Sequence, residues 1–498
     1  MSLSLYENFV EKFTHIRLLR QIERLLKWDY ETCMPVAAVE IRAKQLAYLN
    51  GLIHQESTSQ AYRSGLEEMV DLATGTIKLA GVSPIEASNL TIWSKDLLRL
   101  TRLPISFIET FTAAKINAVK VWKQAKLSSD FSLFSPWLQK IVDLNKKQAD
   151  LLGYVDSPYD ALIDLYEPGM TASTLSTIFD DLAPFLSSFI KKEAIQDSPY
   201  AAYFDHDFSA EDQRKFNQLL LDTINVPSTC TRLDFSVHPF CMGMHPTDVR
   251  LTTHLGGGLL QNIFAVLHEA GHALYELGFS KEAWNTPAAQ PISMAVHESQ
   301  SRWWEVMIGH SLPFWTYIYP TLQAYFPQLK GLSLSNFYQH INHIKPSCIR
   351  IYADEVTYPL HIILRFEIER QLIEGNISAA DVPDLWNNKM KDLLGIVPDN
   401  DAMGCLQDTH WASGSFGYFP TYALGNIYAA QYFTAFSAAF PDWKVRVAGG
   451  SFLFIKEWLH NNIHQYGRRY DTAESMQRVT GQSIALDAYK DYITKKYR

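Results

Sequence analysis

Apolar residues recur at three- and four-residue steps over most of this chain, a spacing that buries one face only when the backbone is helical. The first run is Leu5, Phe9, Phe13, Ile16, Leu19, Ile22 and Leu26, which predicts a long amphipathic first helix. The same period marks 134–152, 175–192, 259–277, 356–372 and 452–466. Proline and glycine stand at the joints, as in Glu167-Pro168-Gly169 and Gly256-Gly257-Gly258. No low-complexity linker divides residues 1–498 and no fixed-period repeat appears. The expectation is one large, mostly α body with a cleft. One region breaks the period. Residues 232–237 and 249–254 alternate, with Val249 and Leu251 set against Arg250 and Thr252, and predict a small antiparallel sheet. A strand just ahead of the 259–277 helix would offer a free edge to an extended peptide.

That helix carries His268-Glu269-Ala270-Gly271-His272. Histidines four apart stack on one helix face, where two imidazoles can share a zinc ion. Glu269 lies about 100° round the helix, placed to hold a water on the metal without being a ligand. The flanking Ile263, Val266, Leu267, Ala270, Leu274 and Leu277 form the packed side of such a helix, and Gly278 offers a stop. With this composition the pentapeptide would arise by chance in roughly one chain in twenty, so it needs a third ligand. A catalytic zinc takes three protein ligands and keeps one position open. No further histidine follows at HExxHxxGxxH spacing, so a carboxylate from a following helix is required. Glu298, in Val296-His297-Glu298-Ser299-Gln300, is one loop beyond the pentapeptide and is the expected ligand. Glu276 is one turn further on the metal helix and points along it, and Glu305 is two turns past Glu298 and suits a supporting or surface role. His297 faces elsewhere.

Composition narrows the setting. The formal charge of −9 is spread along the chain without a basic run, which argues against nucleic acid as a partner and against anionic membrane surfaces. No stretch of about 18 uninterrupted apolar residues is present to span a bilayer. Met1 to Val10 carries no leader-like pattern. The five cysteines, Cys33, Cys230, Cys241, Cys348 and Cys405, are scattered, odd in number and without CxxC spacing. They read as buried thiols in a reducing cytoplasm.

Six ordered motifs then resemble one known family, the M32 carboxypeptidases, or carboxypeptidase Taq group. They are His238-Pro239-Phe240; Asp248-x-Arg250-x-Thr252; the pentapeptide at 268–272; His297-Glu298-Ser299 with Gln300; Ile349-Arg350-x-x-Ala353-Asp354; and Gly404-x-x-Gln407-Asp408-x-His410-Trp411. Trp28-Asp29, Met34-Pro35 and the run from Gly417 to Tyr422 are also similar. The resemblance spans nearly the whole chain. It departs at His254 and Tyr352, where the family commonly has Arg and Glu.

The resemblance implies a helical fold with a deep active-site cleft, a cytosolic homodimer, and broad removal of single C-terminal residues that is poor when proline is last. It implies one zinc per chain, for which cobalt can substitute, and peptide substrates with a free C-terminus. Glu269 would take a proton from water and pass it to the leaving amine. Tyr418 or Tyr422, beside Gly414 and Gly417 in a loop able to close, would donate to the oxyanion. Arg350, by its place in the Ile-Arg-x-x-Ala-Asp motif, would grip the terminal carboxylate bidentately, or pair with Asp354 one turn on. Arg250 is a second candidate, or a brace for Asp248. His410 is a donor to oxyanion or carboxylate, or is tied to Asp408. His238, fixed by Pro239, suits a cleft wall. An oligoendopeptidase or dipeptidyl carboxypeptidase would use the same metal set, and an inactive helical scaffold is disfavoured by the intact Glu269.

Overall fold

Ser4 opens the first helix, Leu5–Thr32, by accepting the Glu7 N–H while the Glu7 carboxylate takes the Ser4 N–H, a reciprocal cap on two otherwise orphaned donors. The computed structural model describes residues 4–193 and 198–497, so the first three residues of the start read for a leader lie outside it. The predicted stripe is narrower in three dimensions than in sequence. Phe9, Phe13 and Ile16 are buried, whereas Leu5 and Ile22 are each 48% exposed. The buried three pack with Tyr62, Leu66, Trp93 and Leu97 in an apolar cluster of the N-terminal helices. Trp93 takes the edges of Phe9 and Phe13 at centroid distances of 5.0 and 5.1 Å.

The second apolar cluster is far larger. It joins helices Phe131–Leu152, Ala172–Glu193, Leu259–Leu277, Met294–Arg302, Tyr358–Glu374 and Pro420–Ala439. The last of these is buried on nearly every side, from Ala423 through Tyr432, as an all-round apolar helix must be at the centre of a bundle. Helix 259–277 has the bounds its periodicity predicts. The chain is 67% helical. Among the described residues no helix is long and apolar enough to cross a membrane.

The sheet differs in topology from the antiparallel pair expected. β1 (Thr231–Phe235) runs parallel to β3 (Asp248–Thr253), with Leu233 opposite Leu251. The antiparallel partner is β2 (Cys241–His245), whose Cys-Met-Gly-Met-His has neither alternation nor β-branched residues to predict a strand. In the order β1-β3-β2 the strand leading to the metal helix is central, so both its edges are filled and the edge expected for substrate belongs to other strands. Val249 and Leu251 are buried as the alternation predicts. All five thiols are free, and of these only Cys405 is fully buried, with Cys33 exposed.

Candidate metal centre and active site

The metal helix begins after Gly258, whose φ of 97° lets the chain turn off β3 into Leu259. Its apolar side is fixed in the core, which turns His268 and His272 to the opposite side with ring centroids 4.9 Å apart. Gly271 is the point of closest approach to the next helix. A Cβ there would stand 2.4 Å from the Gln300 carbonyl oxygen and 2.6 Å from Ser301 Cα. Only hydrogen fits, and the contact brings helix Met294–Arg302 close enough for Glu298 to reach both imidazoles. Ser293 starts that helix by accepting the Val296 N–H.

Glu298 Oε2 lies 3.6 Å from His268 Nε2 and 3.5 Å from His272 Nε2. These separations exceed a good hydrogen bond. They suit ligands of one ion, because atoms about 2 Å from a tetrahedral zinc stand roughly 3.3 Å apart. All three ligand atoms lie within 4.8 Å of one another. The other ring nitrogens are engaged as metal-binding histidines require. His268 Nδ1 meets Glu305 Oε2 at 2.8 Å, and His272 Nδ1 meets the His297 carbonyl at 3.1 Å. Burial opposes protonation of His268, yet Glu298, Glu305 and Glu269 hold its pKa up to about 9. A site with this surplus of carboxylate favours a cation. His272 is held well below its usual pKa by burial and by His297 and His268, leaving a lone pair to donate.

Glu269 is 5% exposed, and its Oε2 has no protein partner among the described residues. Burial raises its pKa to about 7, against His268 and with Glu298. A carboxyl poised near neutrality with one oxygen free is equipped to accept and return a proton. Glu305, for which the sequence predicts a supporting or surface role, sits half-buried in a π-helical turn, Trp303–Ile308. Burial pushes its pKa up, but Arg302 and His268 hold it down at about 2. Glu276, the weaker ligand candidate, is bound to His297 Nε2 at 3.3 Å. The His297 ring stacks on His272 at 4.2 Å.

A second polar group faces this one across three tyrosines, Tyr358, Tyr418 and Tyr422, each within electrostatic reach of Glu298. Behind them Arg350 is buried, with Nη2 2.8 Å from Asp408 Oδ1 and Nη1 donating to Tyr358 Oη at 3.2 Å. Its guanidinium lies over the Tyr422 ring at 5.1 Å. The expected alternative partner, Asp354, instead accepts the backbone N–H groups of Lys345, Val356 and Thr357. Asp408 also holds Arg365, Nε to Oδ2 at 2.8 Å. Burial presses against its charge, but Arg365 and Arg350 keep it ionised far below the usual carboxylate range. His410 Nε2 meets Tyr422 Oη at 3.2 Å, and burial lowers its pKa to about 4.

A family model described as carboxypeptidase Taq (M32) metallopeptidase matches residues 8–497. The chain belongs to this family. It is therefore an enzyme, a metallocarboxypeptidase by membership. Thermostable carboxypeptidase 1 of Thermus thermophilus is 36% identical over 99% of this chain and 98% of its own. The solved structure of a Pyrococcus furiosus carboxypeptidase matches with a TM-score of 0.95 at 33% identity over 100% of both chains. Metallocarboxypeptidase 1 of Trypanosoma cruzi matches with 0.91 at 32% identity, also over 100% of both.

In this M32 enzyme two of the sequence candidates make their contacts with neither group. Arg250 is engaged by Asp248 through a fork of 2.9 and 3.1 Å and lies over Trp28 at 4.7 Å, the bracing arrangement. His238 is exposed in the turn between β1 and β2, where its carbonyl accepts from Ser236 Oγ. Tyr422 lies on helix Pro420–Ala439 rather than in the glycine loop. The loop itself is tied down, since the Gly417 N–H donates to Glu369 Oε2 at 2.8 Å and a Cβ on Gly417 would meet Leu162 backbone at 2.6 Å. Two further side chains join these groups without a sequence motif to mark them. Tyr358 shares Arg350, and Arg302 bonds Glu305 at 2.6 Å and Asn426 at 2.7 Å. Arg302 stands four residues past Glu298, a spacing that places both on one helical face.

Gly425 shows how tightly Glu298 is seated. A Cβ there would lie 2.5 Å from Glu298 Cγ and 2.8 Å from its Cβ. Gly425→Ala improves helix propensity yet displaces the carboxylate. The expected result is unchanged helical circular dichroism with metal affinity lowered about ten- to a hundredfold, the usual cost of disturbing a ligand's support. Competition against a chelator measures this, and wild-type affinity would refute the packing argument.

Proposed function

We propose that the chain is a zinc-dependent carboxypeptidase that releases single C-terminal residues with broad specificity and works poorly when proline is last. The observation that carries this reading is a buried Arg350 standing behind a tyrosine screen from the His268, His272 and Glu298 triad. An exopeptidase needs such a cation at a short, fixed remove from its metal, whereas an endopeptidase has no terminal charge to meet. Residues 1–498 are proposed to act as one unit, a homodimer in the cytoplasm, with cobalt able to replace zinc.

His268, His272 and Glu298 would hold the ion, which supplies, when bound, an acidified water and a polarised scissile carbonyl. Glu269 Oε2 accepts the water's proton and delivers it to the leaving nitrogen. The Tyr418 or Tyr422 hydroxyl, both held protonated by burial, donates to the oxygen that gains charge. Arg350, oriented by Asp408 and Tyr358, fixes the substrate carboxylate, with His410 acting through Tyr422.

Mass spectrometry of a mixed peptide pool should show ladders of single-residue loss that stall at proline. Release of dipeptides or internal cuts would overturn the reading. Arg350→Ala isolates the carboxylate contact. On a free-acid peptide kcat/KM is expected to fall by the equivalent of roughly 2–4 kcal/mol, while weak cleavage of the amidated twin hardly changes. Equal losses on both would make Arg350 a support for Asp408 instead.

A further inference from the structure

A cavity of about 240 Å³ lies between the first helix, helix Pro84–Thr101 and β2, and no step of peptide hydrolysis uses it. Its wall is largely apolar, from Phe13, Ile16, Leu97, Leu100 and Met244, and four arginines are set into it. Arg17, Arg20 and Arg24 share one face of the first helix and all line it. Arg17 donates to the carbonyls of Trp284 and Ala289, and Arg24 to that of Gly243, so neither is neutralised by its hydrogen bonds. Arg20, which solvent reaches, makes no hydrogen bond or ion pair among the described residues. Arg99 also lines the cavity but is paired with Asp164. The single carboxylate on the wall, Asp96, is held by the Arg468 fork at 2.9 and 3.0 Å, and its charge, with that of Glu23, offsets part of the burial cost of Arg20.

Neutral donors complete the set. Ser57, 5% exposed, and Trp93, 1% exposed, line the same space. Ser57 Oγ, Trp93 Nε1 and Gln21 Nε2 are buried without a protein partner among the described residues. Leaving several polar groups buried and unpaired is costly, and so is crowding like charges. The crowding is visible in Arg17, whose pKa burial and the neighbouring Arg24 bring down to about 10 even though Glu276 opposes the shift and its charge also acts on Arg24. One kind of occupant relieves all of this: a compact group with several acceptor oxygens and more than one negative charge.

We propose that this cavity binds a small, multiply charged oxyanion such as a phosphate or sulfate group. The site is separate from the metal centre but adjoins it. Arg17 and Arg24 also line a recess with Glu276, which bonds His297, whose ring lies on His272.

Isothermal titration of the metal-loaded protein with inorganic phosphate and with sulfate, at constant ionic strength, tests the proposal. Saturable binding is expected, weakened at least tenfold by Arg20→Ala and severalfold by Ser57→Ala. Arg63→Ala is the control, since Arg63 is a surface residue paired with Glu67. Arg20→Gln serves if the alanine variant folds poorly. Both variants should keep wild-type metal content. No saturable binding, binding undiminished by loss of the Arg20 charge, or an equal loss in the control would each overturn the proposal. Phosphate that binds only at the metal centre reports itself as the second of these outcomes.

Discussion

Glu269→Gln is expected to keep its metal and lose about a thousandfold or more in kcat. The amide preserves the shape of the carboxylate and its place on the helix, so the His268 and His272 geometry has no reason to change. What disappears is the ability of Oε2 to take up a proton and give it back. General acid–base contributions of this kind are worth about 10²–10⁴ in rate. The upper part of that range applies because Glu269 is buried, has no competing partner at Oε2 among the described residues, and is held by burial near neutrality, where both transfers run without a large uphill step. Metal analysis alongside kcat on a free-acid peptide makes the measurement. A variant with full metal and kcat within tenfold of wild type would remove Glu269 from the chemistry.

Glu298→Ala is expected to lose metal and activity together. The carboxylate is 7% exposed and near-equidistant from both Nε2 atoms, and Ser301 Oγ donates to the same oxygen at 3.1 Å. Removing it leaves two histidines, a set too small to hold zinc with an open position. Affinity should fall at least a hundredfold, and treating the wild type with a chelator should reproduce the loss of activity reversibly. Glu276→Gln is the informative contrast. Its carboxylate is spent on His297, so metal affinity should change by about tenfold or less. Wild-type metal affinity in Glu298→Ala, or loss confined to Glu276→Gln, would reverse the assignment of the third ligand.

The parts legible in the sequence are those set by local periodicity. Helix 259–277 emerges with its predicted bounds because its apolar stripe and the glycines at each end act within a few turns. Two histidines four apart must share a face of any helix, so their pairing needed no fold. β2 was not legible, since its strand character comes from pairing with β3 and not from its residues. The parallel direction of β1 likewise depends on a connection that passes through β2 before returning as β3. Arg350 reads locally as a partner for Asp354, but Asp354 closes its own turn and Arg350 meets Asp408 from a distant loop.

By itself, then, the sequence determined the helical class, the metal helix, and the residue types able to hold and use an ion. The tertiary structure brings Glu298, the carboxylate expected from the sequence, within reach of both imidazoles and shows what holds it there. Spacing alone favours Glu298 over Glu276 and Glu305; the structure adds the contacts, with Glu276 on His297 Nε2 and Glu305 on His268 Nδ1. Gly271 and Gly425 remove side chains exactly where three helices close on Glu298, and the π-turn seats Glu305 against His268 Nδ1. Periodicity is encoded over a few residues, whereas backbone-to-backbone approach depends on every helix packed around it.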